Sequence, residues 1–426
     1  MTSIDLATLL ESLPACKRCR KNRRRCDTLL PSCANCSKAG VECIFFDHAL
    51  QEELPRSYIA SLVEHLEGGE SISPDLRMYL TQLFFGTVHQ VYPILDPGSP
   101  WLSDDASPTH AFIQEMVCAV ACHCAPQGDP PSLQRLAPAA HARALRHIEQ
   151  ATAAQAVSTL QVVVLLVLYT LVCPATGGNL SQQLGFAIRL VIDLCEGGDA
   201  DGGDGGQPEG CSPPLSSLYR VIYCLENHVC GVLVRPTALP EPAEALAMPS
   251  FSSFVSSPAC SESRSLGLLC TLYRVQARCR QGRLEGQDNA VLRTFVLAFA
   301  EAYRHQERQE RQQESEEKAL LNPNVAAVLG ETCLVLEPAS VDAAMALLEA
   351  YSDAAFLATF ASAYWVHRAG NVVVDHLLVG GGTVHGPLLR AYGQATALLQ
   401  AWAGTWDAAR VLRQALEQRL EGDPWH

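Results

Sequence analysis

The sequence predicts a mostly α-helical protein with a small cysteine-rich module near its N-terminus, and three observations support this fold class. Hydrophobic residues make up 48% of the 426 residues and charged residues 18%, which suits a large buried core and excludes a wholly disordered or fibrous chain. From about residue 74, apolar residues recur with helical spacing and show little of the alternation typical of strands. Six of the 18 cysteines fall within residues 16–43, which predicts a separate module there.

The distribution of charge follows the same division. The formal net charge of the chain is −14, yet residues 16–43 carry eight Lys or Arg against two acidic residues, so the rest of the chain carries −20. A short basic segment joined to an acidic body favours nucleic acid or a membrane surface as the partner of that segment. Residues 1–15, predicted to be a short leader, lack the basic start of a signal peptide. We therefore expect a reducing compartment, in which cysteines bind metal or are simply buried.

The cysteines of the module form two similar halves, each with a C-x-x-C pair followed, after six intervening residues, by a third cysteine. The predicted metal ligands are Cys16, Cys19, Cys26, Cys33, Cys36 and Cys43. Because a tetrahedral zinc site takes four ligands, six thiolates complete two sites only if two are shared, and the repeat suggests Cys16 and Cys33. The module has almost no apolar core and is expected to fold only with metal. A disulfide framework and a one-zinc site with two spare thiols are the alternatives.

A specific pattern follows the first C-x-x-C pair. Residues 19–27 read C-R-K-N-R-R-R-C-D, and Pro31 stands two residues before Cys33. With the cysteine spacing, this resembles the fungal binuclear zinc-cluster transcription factors, whose pattern is C-x-x-C-R-x-R/K-K-x-K/R-C-D, a loop with proline, and a second C-x-x-C. The resemblance implies two short helices around two Zn²⁺ ions. It also implies that the first helix points its C-terminal end into the major groove of double-stranded DNA.

The resemblance assigns roles within the basic run. Arg23 occupies the position that reads a CGG triplet in the family, and Asn22, where the family usually has a basic residue, is expected to assist it. An arginine suits base reading because its fork can pair with guanine O6 and N7. The residues expected on DNA phosphates are Arg20, Lys21, Arg24 and Arg25. Such a run can double as an import signal, so the predicted localisation is the nucleus.

Residues 46–73 are predicted to be a linker that contains a short helix over 56–67. Ile59, Leu62 and Leu66 have the spacing of a coiled-coil seam, and Gly68-Gly69 ends the helix. This segment resembles the dimerisation helix that follows many such clusters and implies a homodimer. A helix of barely two heptads is marginal in water by itself, and a surface helix docked on the acidic body is the alternative.

Residues 74–426 are predicted to form one helical domain. Segments within about 75–245, among them 91–96 and 185–194, resemble the regulatory (middle homology) domain of the same transcription factors, which implies an all-helical, non-enzymatic domain that controls action on the transcription machinery. The predicted helices span 75–92, 110–124, 138–152, 157–173, 180–195, 215–234, 265–278, 289–318, 340–363 and 388–421. Residues 197–210, rich in Gly and Asp, are predicted to be a flexible loop. The most apolar run, 162–173, is too short to span a membrane and predicts a buried helix.

The body offers no enzyme motif. H-E-x-x-H, the P-loop, G-x-G-x-x-G and G-x-S-x-G are all missing from the sequence. Cys118, Cys122 and Cys124 are flanked by Val and Ala and are expected to be inert buried thiols. The sequence thus predicts a non-enzymatic, pathway-specific regulator of transcription by RNA polymerase II that recognises CGG-like triplets. The alternative is a zinc-folded adaptor that binds other proteins and binds DNA only weakly.

Overall fold

The structure, a computed structural model, describes residues 15–27, 29, 32–47, 52–57, 72–98, 107–124, 132–153, 156–196, 212–242, 254, 261–283, 287–312, 321–353, 356–379 and 386–421. The chain divides into two compact units, Met1–Pro74 and Asp75–His426. Three predictions fall wholly or mostly outside the described residues: the leader over 1–15, the helix over 56–67 and the loop over 197–210.

The first unit contains two short helices and a two-stranded sheet. Helix α1 spans Lys17–Lys21 and helix α2 spans Ala34–Ser37, so each begins directly after the first cysteine of a C-x-x-C pair. Strands β1 (Ile44–Asp47) and β2 (Glu52–Pro55) pair antiparallel, with Phe45 opposite Leu54. The sheet corrects the prediction that 46–55 belongs to a linker. Its apolar and β-prone residues at 44–46 pair with a returning strand, and Phe45 is buried.

The second unit is built from helices. In chain order they are α3 (Pro74–Gly86), α4 (Pro108–Ala121), α5 (Ser132–Leu145), α6 (Ile148–Ala151), α7 (Val157–Val172), α8 (Pro174–Gly177), α9 (Leu180–Glu196), α10 (Pro213–Leu233), α11 (Ser261–Arg280), α12 (Gln287–Gln312), α13 (Pro323–Leu336), α14 (Val341–Tyr351), α15 (Phe360–Val379), α16 (Gly386–Trp402) and α17 (Asp407–Glu421). The predicted fold class, a small cysteine-cluster module followed by a helical body, is confirmed.

Several predicted helix bounds are wrong. The helix predicted over 340–363 is two helices, α14 and α15, and that over 388–421 is also two, α16 and α17. The helix predicted over 75–92 ends at Gly86, and the one predicted to begin at Pro138 begins at Ser132, with the proline inside it. Helix α13 was not predicted at all. Apolar residues occur nearly all round it, so it lacks the one-sided pattern that marks a surface helix.

Helix α7 lies at the centre of the body and contains the predicted buried run. All but its first two residues and Gln161 are buried, and it packs against α4, α9 and α10. The indole N–H of Trp406, which precedes α17, donates to the carbonyl of Val172 at 3.2 Å and fixes the C-terminal helices to this central helix. Among the described helices, none is both long and apolar enough to cross a membrane.

The segment after α10 is held by a buried carboxylate. Glu226 accepts hydrogen bonds from the backbone N–H groups of Ala238 (2.5 Å) and Leu239 (3.0 Å). Between them the chain turns at Val234, which adopts a left-handed conformation (φ 51°) although its side chain is 82% exposed. A β-branched residue is unfavourable there, so the turn stores strain that packing does not compensate.

Buried polar groups lie among the helices of the body. The ring of His228 lies between the hydroxyls of Tyr273 (3.0 Å) and Thr359 (2.9 Å), and Tyr351 donates to Glu331 at 2.6 Å. Burial lowers the pKa to about 4 at four histidines: His89, His123, His141 and His228. Burial likewise raises the pKa to about 12 at Cys118, Cys122 and Cys124. These thiols are therefore protonated at neutral pH, as inert buried cysteines are.

Candidate metal centre and nucleic-acid interface

The two halves of the module fold alike around their cysteines. Cys16 and Cys33 are the N-cap residues of α1 and α2, with nearly identical backbone angles (φ −64° and ψ 156° against φ −64° and ψ 151°). Cys19 and Cys36 lie within the helices and point to the same interior, where both are buried. The C-x-x-C spacing therefore places two sulfurs on one side of each helical turn.

The six sulfurs converge into two groups of four. One group is formed by Cys16, Cys19, Cys26 and Cys33, the other by Cys16, Cys33, Cys36 and Cys43, and within each group the sulfurs lie within 4.8 Å of one another. The groups share Cys16 and Cys33, the pair that the repeat symmetry suggests. Five of the cysteines are buried and Cys26 is half-buried. All six are free thiols, not disulfides.

The distances suit a tetrahedral metal with sulfur ligands. The sulfur of Cys16 lies 3.9 Å from that of Cys33 and 3.6 Å from that of Cys36, and the sulfurs of Cys19 and Cys33 are 3.7 Å apart. A Zn–S bond of about 2.3 Å puts the ligands of a tetrahedral site roughly 3.8 Å apart. The donor set therefore suits zinc.

The two shared cysteines are the most acidic of the set. Burial opposes ionisation, but hydrogen bonds from the backbone N–H and side chain of Cys19 dominate and lower the pKa of Cys16 to about 6. The pKa of Cys33 is also lowered, because the nearby backbone N–H of Cys36 and the neighbouring thiols outweigh the effect of burial. Burial raises the pKa of Cys26, Cys36 and Cys43. The start of each helix thus favours the thiolate at the sulfurs that would bridge, and at Cys16 the N–H of Cys19 donates directly to the sulfur at 3.3 Å.

Side chains outside the cysteines hold the two halves together. The carboxylate of Asp27 accepts from the backbone N–H of Ala34 at 3.0 Å and so caps α2 from the first half. The guanidinium of Arg18 donates to the carbonyl of Asn35 at 2.7 Å, and the Asn35 amide donates to the carbonyl of Arg25 at 2.8 Å. The sequence pattern includes Asp27 but gives no role to Arg18 or Asn35, whose contacts depend on how the halves meet.

The basic run lies on the surface of this unit. All six predicted DNA-contacting residues are exposed: Arg20, Lys21, Asn22, Arg23, Arg24 and Arg25. Asn22 is the C-cap of α1, and Arg23 follows it with a left-handed backbone (φ 49°). The N–H groups of Arg23 and Arg24 close the helix end on the carbonyls of Arg20 (3.2 Å) and Cys19 (2.9 Å). This Schellman turn usually has glycine where Arg23 stands.

Comparison with known proteins agrees with this geometry. Residues 14–53 match the family described as the fungal Zn(2)-Cys(6) binuclear cluster domain. Residues 14–53 thus have both the sequence and the sulfur geometry typical of a Zn(2)-Cys(6) domain. Domains of this family bind zinc, and the sulfur cluster of this chain has the ligands that they require. The match extends past Cys43 to include the strands β1 and the start of β2.

Curated relatives match over a similarly short stretch. The chain is 40% identical over 52 residues to the regulatory protein CAT8 of Saccharomyces cerevisiae, which is 12% of this chain and 4% of the relative. It is 39% identical over 57 residues to the transcriptional activator protein acu-15 of Neurospora crassa, 13% of this chain and 6% of that protein. It is 43% identical over 56 residues to the pyrimidine pathway regulatory protein 1 of S. cerevisiae, which is 13% of this chain and 6% of that protein.

The similarity to these relatives is confined to a small part of each protein. The chain spans less than a tenth of the length of the curated relatives that it matches. No solved structure gives a significant match to the chain. The Zn(2)-Cys(6) region therefore supports inference from relatives, and the helical body is interpreted from its own residues.

Proposed function

We propose that the protein is a sequence-specific, DNA-binding regulator of transcription by RNA polymerase II, and that its Zn(2)-Cys(6) domain recognises CGG-like triplets. The observation that carries this proposal is the run of six consecutive exposed residues, 20–25, fixed on a cysteine-built scaffold. Five of the six are Lys or Arg, while the rest of the chain is acidic. The names of the curated relatives, two regulatory proteins and a transcriptional activator, support the same function.

The scaffold would hold two Zn²⁺ ions. One takes Cys16, Cys19, Cys26 and Cys33, and the other takes Cys16, Cys33, Cys36 and Cys43, in line with the two groups of sulfurs. Zinc supplies no chemistry to a substrate in such a site, because its four sulfur ligands leave no open position. Its role is to fix α1 and α2 against each other in a module that otherwise lacks a core.

Base reading is assigned to Arg23, assisted by Asn22. The turn at the end of α1 lifts both residues off the helix, and neither side chain is buried against the module. The guanidinium fork matches guanine O6 and N7 in the major groove, and an Asn amide offers a donor and an acceptor beside it. The conformation of Arg23 is costly for a non-glycine residue, a cost that is common where a side chain has a function.

Phosphate contacts are assigned to Arg20, Lys21, Arg24 and Arg25. These side chains are exposed on the same short segment and carry a fixed positive charge. Phosphate contacts position a protein on DNA without selecting its sequence. The acidic remainder of the chain repels DNA, which would confine binding to the module and make it strongly dependent on salt.

The protein would also dimerise, contact the transcription machinery and act in the nucleus. Residues 56–67 would supply a homodimer contact, and the helical body, 74–426, would act as a regulatory domain toward the transcription machinery. A DNA-binding regulator of RNA polymerase II acts in the nucleus, and the basic run can serve as the import signal.

The decisive experiment compares Arg23→Ala with Lys38→Ala in the zinc-loaded full chain. Both substitutions remove one exposed positive charge from the module, but Lys38 lies outside the basic run. Binding of labelled duplexes is measured by fluorescence anisotropy, with a CGG-containing duplex and a scrambled duplex. Arg23→Ala should cost about 1–3 kcal/mol on the CGG duplex and little on the scrambled one, while Lys38→Ala should affect both slightly and equally.

The same measurement distinguishes the adaptor. If the wild-type chain binds both duplexes weakly and equally, or if Arg23→Ala weakens both to the same extent, the module does not read bases. That result would contradict the proposed function and favour an adaptor that binds other proteins.

A further inference from the structure

The strands β1 and β2 return the chain to the sulfur cluster. Ile44, next to the last cysteine, pairs with Pro55, and the backbone N–H of Arg56 donates to the carbonyl of Cys43 at 2.7 Å. Arg56 is the first residue of the helix predicted over 56–67, and its side chain is 1% exposed, the largest side chain in the described residues to be so deeply buried. A guanidinium buried to this extent needs partners that repay its desolvation.

The partners of Arg56 belong to the first half of the module. Its Nη1 donates to the backbone carbonyl of Asp27 at 2.5 Å and reaches that of Leu29 at 3.5 Å, and its Nη2 donates to the sulfur of Cys26 at 3.5 Å. Cys26 belongs only to the first group of sulfurs, whereas Cys43 belongs only to the second. Arg56 thus touches a ligand of each group, one through its backbone and one through its side chain.

The charge of the loaded cluster explains why an arginine is buried there. Six thiolates with two divalent ions carry a net charge of about −2, so cations beside the sulfurs are stabilised. Arg18 has a corresponding effect on the other half, where its guanidinium favours the thiolate of Cys36, although burial raises the pKa of that thiol. Each of these two arginines thus acts on a sulfur that is not shared between the groups.

We propose that Arg56 is an outer-sphere residue of the metal cluster, and that it slows metal loss from the site containing Cys26 and makes strands β1 and β2 part of the metal-dependent fold. This inference depends on the two-zinc centre of the proposed function. Hydrogen bonds to a ligating sulfur orient it, and loss of such a partner typically weakens metal binding roughly 10- to 100-fold. The metal-dependent unit accordingly extends to Arg56, beyond the last cysteine.

Zinc release tests the proposal. Full-length chains carrying Arg56→Lys, Arg56→Ala or Lys38→Ala are loaded with zinc, and its transfer to 4-(2-pyridylazo)resorcinol is followed by absorbance. One of the two zinc ions should leave the Arg56→Ala chain roughly 10- to 100-fold faster than it leaves the wild type. Arg56→Lys, which keeps the charge but loses the fork, should be intermediate, and Lys38→Ala should match the wild type. If both Arg56→Lys and Arg56→Ala release zinc at the wild-type rate, the proposal is overturned.

Two further readouts separate an outer-sphere role from a merely structural one. In the chain loaded with Co²⁺, the sulfur-to-cobalt charge-transfer band should shift in Arg56→Lys but not in Lys38→Ala. Digestion with a glutamyl endopeptidase should spare Glu52 and Glu53 in the zinc-loaded wild type, and cut there after chelation or in Arg56→Ala. The proposal would be contradicted if the charge-transfer band of Arg56→Lys is unchanged and Glu52 and Glu53 stay uncut in zinc-loaded Arg56→Ala.

Failure of this inference can be told apart from failure of the proposed function. A wild-type chain that retains fewer than two zinc ions contradicts the two-metal centre itself. A wild-type chain that retains two, beside Arg56 variants that release both at the wild-type rate, leaves the centre intact and removes only the role of Arg56. Arg56→Lys decides the matter if Arg56→Ala cannot be loaded with metal.

Discussion

The sulfurs of Cys16 and Cys33 lie 3.9 Å apart, and each belongs to both groups of four sulfurs. Each residue stands at the N-cap of the helix that follows it, and its pKa is lowered there. In the proposed centre, sharing these two ligands would let six cysteines complete two tetrahedral sites in a module with almost no apolar core. The other four cysteines of the module would each serve a single site.

This division of ligands predicts unequal effects of single substitutions. Cys33→Ser removes a ligand from both sites and should abolish retention of both metal ions, since neither tetrahedron is then complete. Cys26→Ser removes a ligand from one site and should leave one ion held more tightly than the other. Cys173→Ser, at a half-buried cysteine of the body, is the matched control. Zinc content after gel filtration gives the comparison, and equal losses in Cys33→Ser and Cys26→Ser would argue against shared ligands.

Removal of the strain at Val234 should stabilise the body. Val234→Gly relieves a left-handed conformation that costs an L-residue roughly 1–2 kcal/mol, and it loses little packing because the side chain is 82% exposed. Val379→Gly is the control, since Val379 is 86% exposed at the end of α15 and is not in that conformation. Urea unfolding should show a gain of about 1 kcal/mol for Val234→Gly and none for Val379→Gly. If both variants gain stability, the effect comes from replacing an exposed valine and not from relief of backbone strain.

The sequence predicts the cysteine cluster well because its evidence is local and countable. Spacing within each half brings the sulfurs of Cys16 and Cys19 together within one helical turn, and the ligand number of zinc fixes how the halves combine. Arg56 could not be predicted in the same way. Its contact with Cys26 depends on a hairpin that returns the chain to the module, and nothing in the charge pattern of 46–57 indicates burial.

In the body, helix existence was easier to predict than helix ends. The apolar spacing continues without a break across 352–359, so the sequence predicts one helix where the structure has α14 and α15. Helix α13 was missed for the opposite reason, because it is buried on nearly all sides and shows no polar face. The strain at Val234 depends on its backbone conformation, which the residue type does not reveal.

A close approach between two helices makes one glycine of the body sensitive to size. A Cβ on Gly330 of α13 would lie 3.0 Å from the Cβ of Leu347 and 3.1 Å from its Cα, which belongs to the backbone of α14 and cannot move freely. Gly330→Ala is expected to destabilise the body by roughly 1–3 kcal/mol. Gly393 in α16 has no atom within 4 Å of such a Cβ, so Gly393→Ala should stabilise by up to about 1 kcal/mol. Thermal unfolding of both variants tests this, and the same sign for both would contradict it.

The buried carboxyl of Glu331 should make stability depend on pH. Burial raises its pKa from 4.5 to about 7, although the hydroxyl of Tyr351 partly offsets this effect. The native state therefore holds the proton more tightly than the unfolded state. The contribution of this group to stability is full below pH 4.5 and is lost as pH rises toward 7. At 1.36 kcal/mol per pKa unit, the loss is about 3 kcal/mol.

Glu331→Gln isolates this effect. The difference in free energy of unfolding between variant and wild type should shift in favour of the variant as pH rises from 4.5 to 7. The buried histidines, whose lowered pKa values give the opposite slope, are present in both chains and cancel. Urea titrations at several pH values provide the measurement, and a difference that does not change with pH would show that the carboxyl is not protonated in the native state.

The most direct test of the two-metal centre is native mass spectrometry of the zinc-loaded full chain, before and after chelation. Our interpretation predicts two zinc ions per chain, released by chelation together with protection of residues 15–56 from protease, while the helical body keeps its far-ultraviolet circular dichroism. One zinc ion per chain, or a chelated chain in which residues 15–56 stay protected, would contradict it.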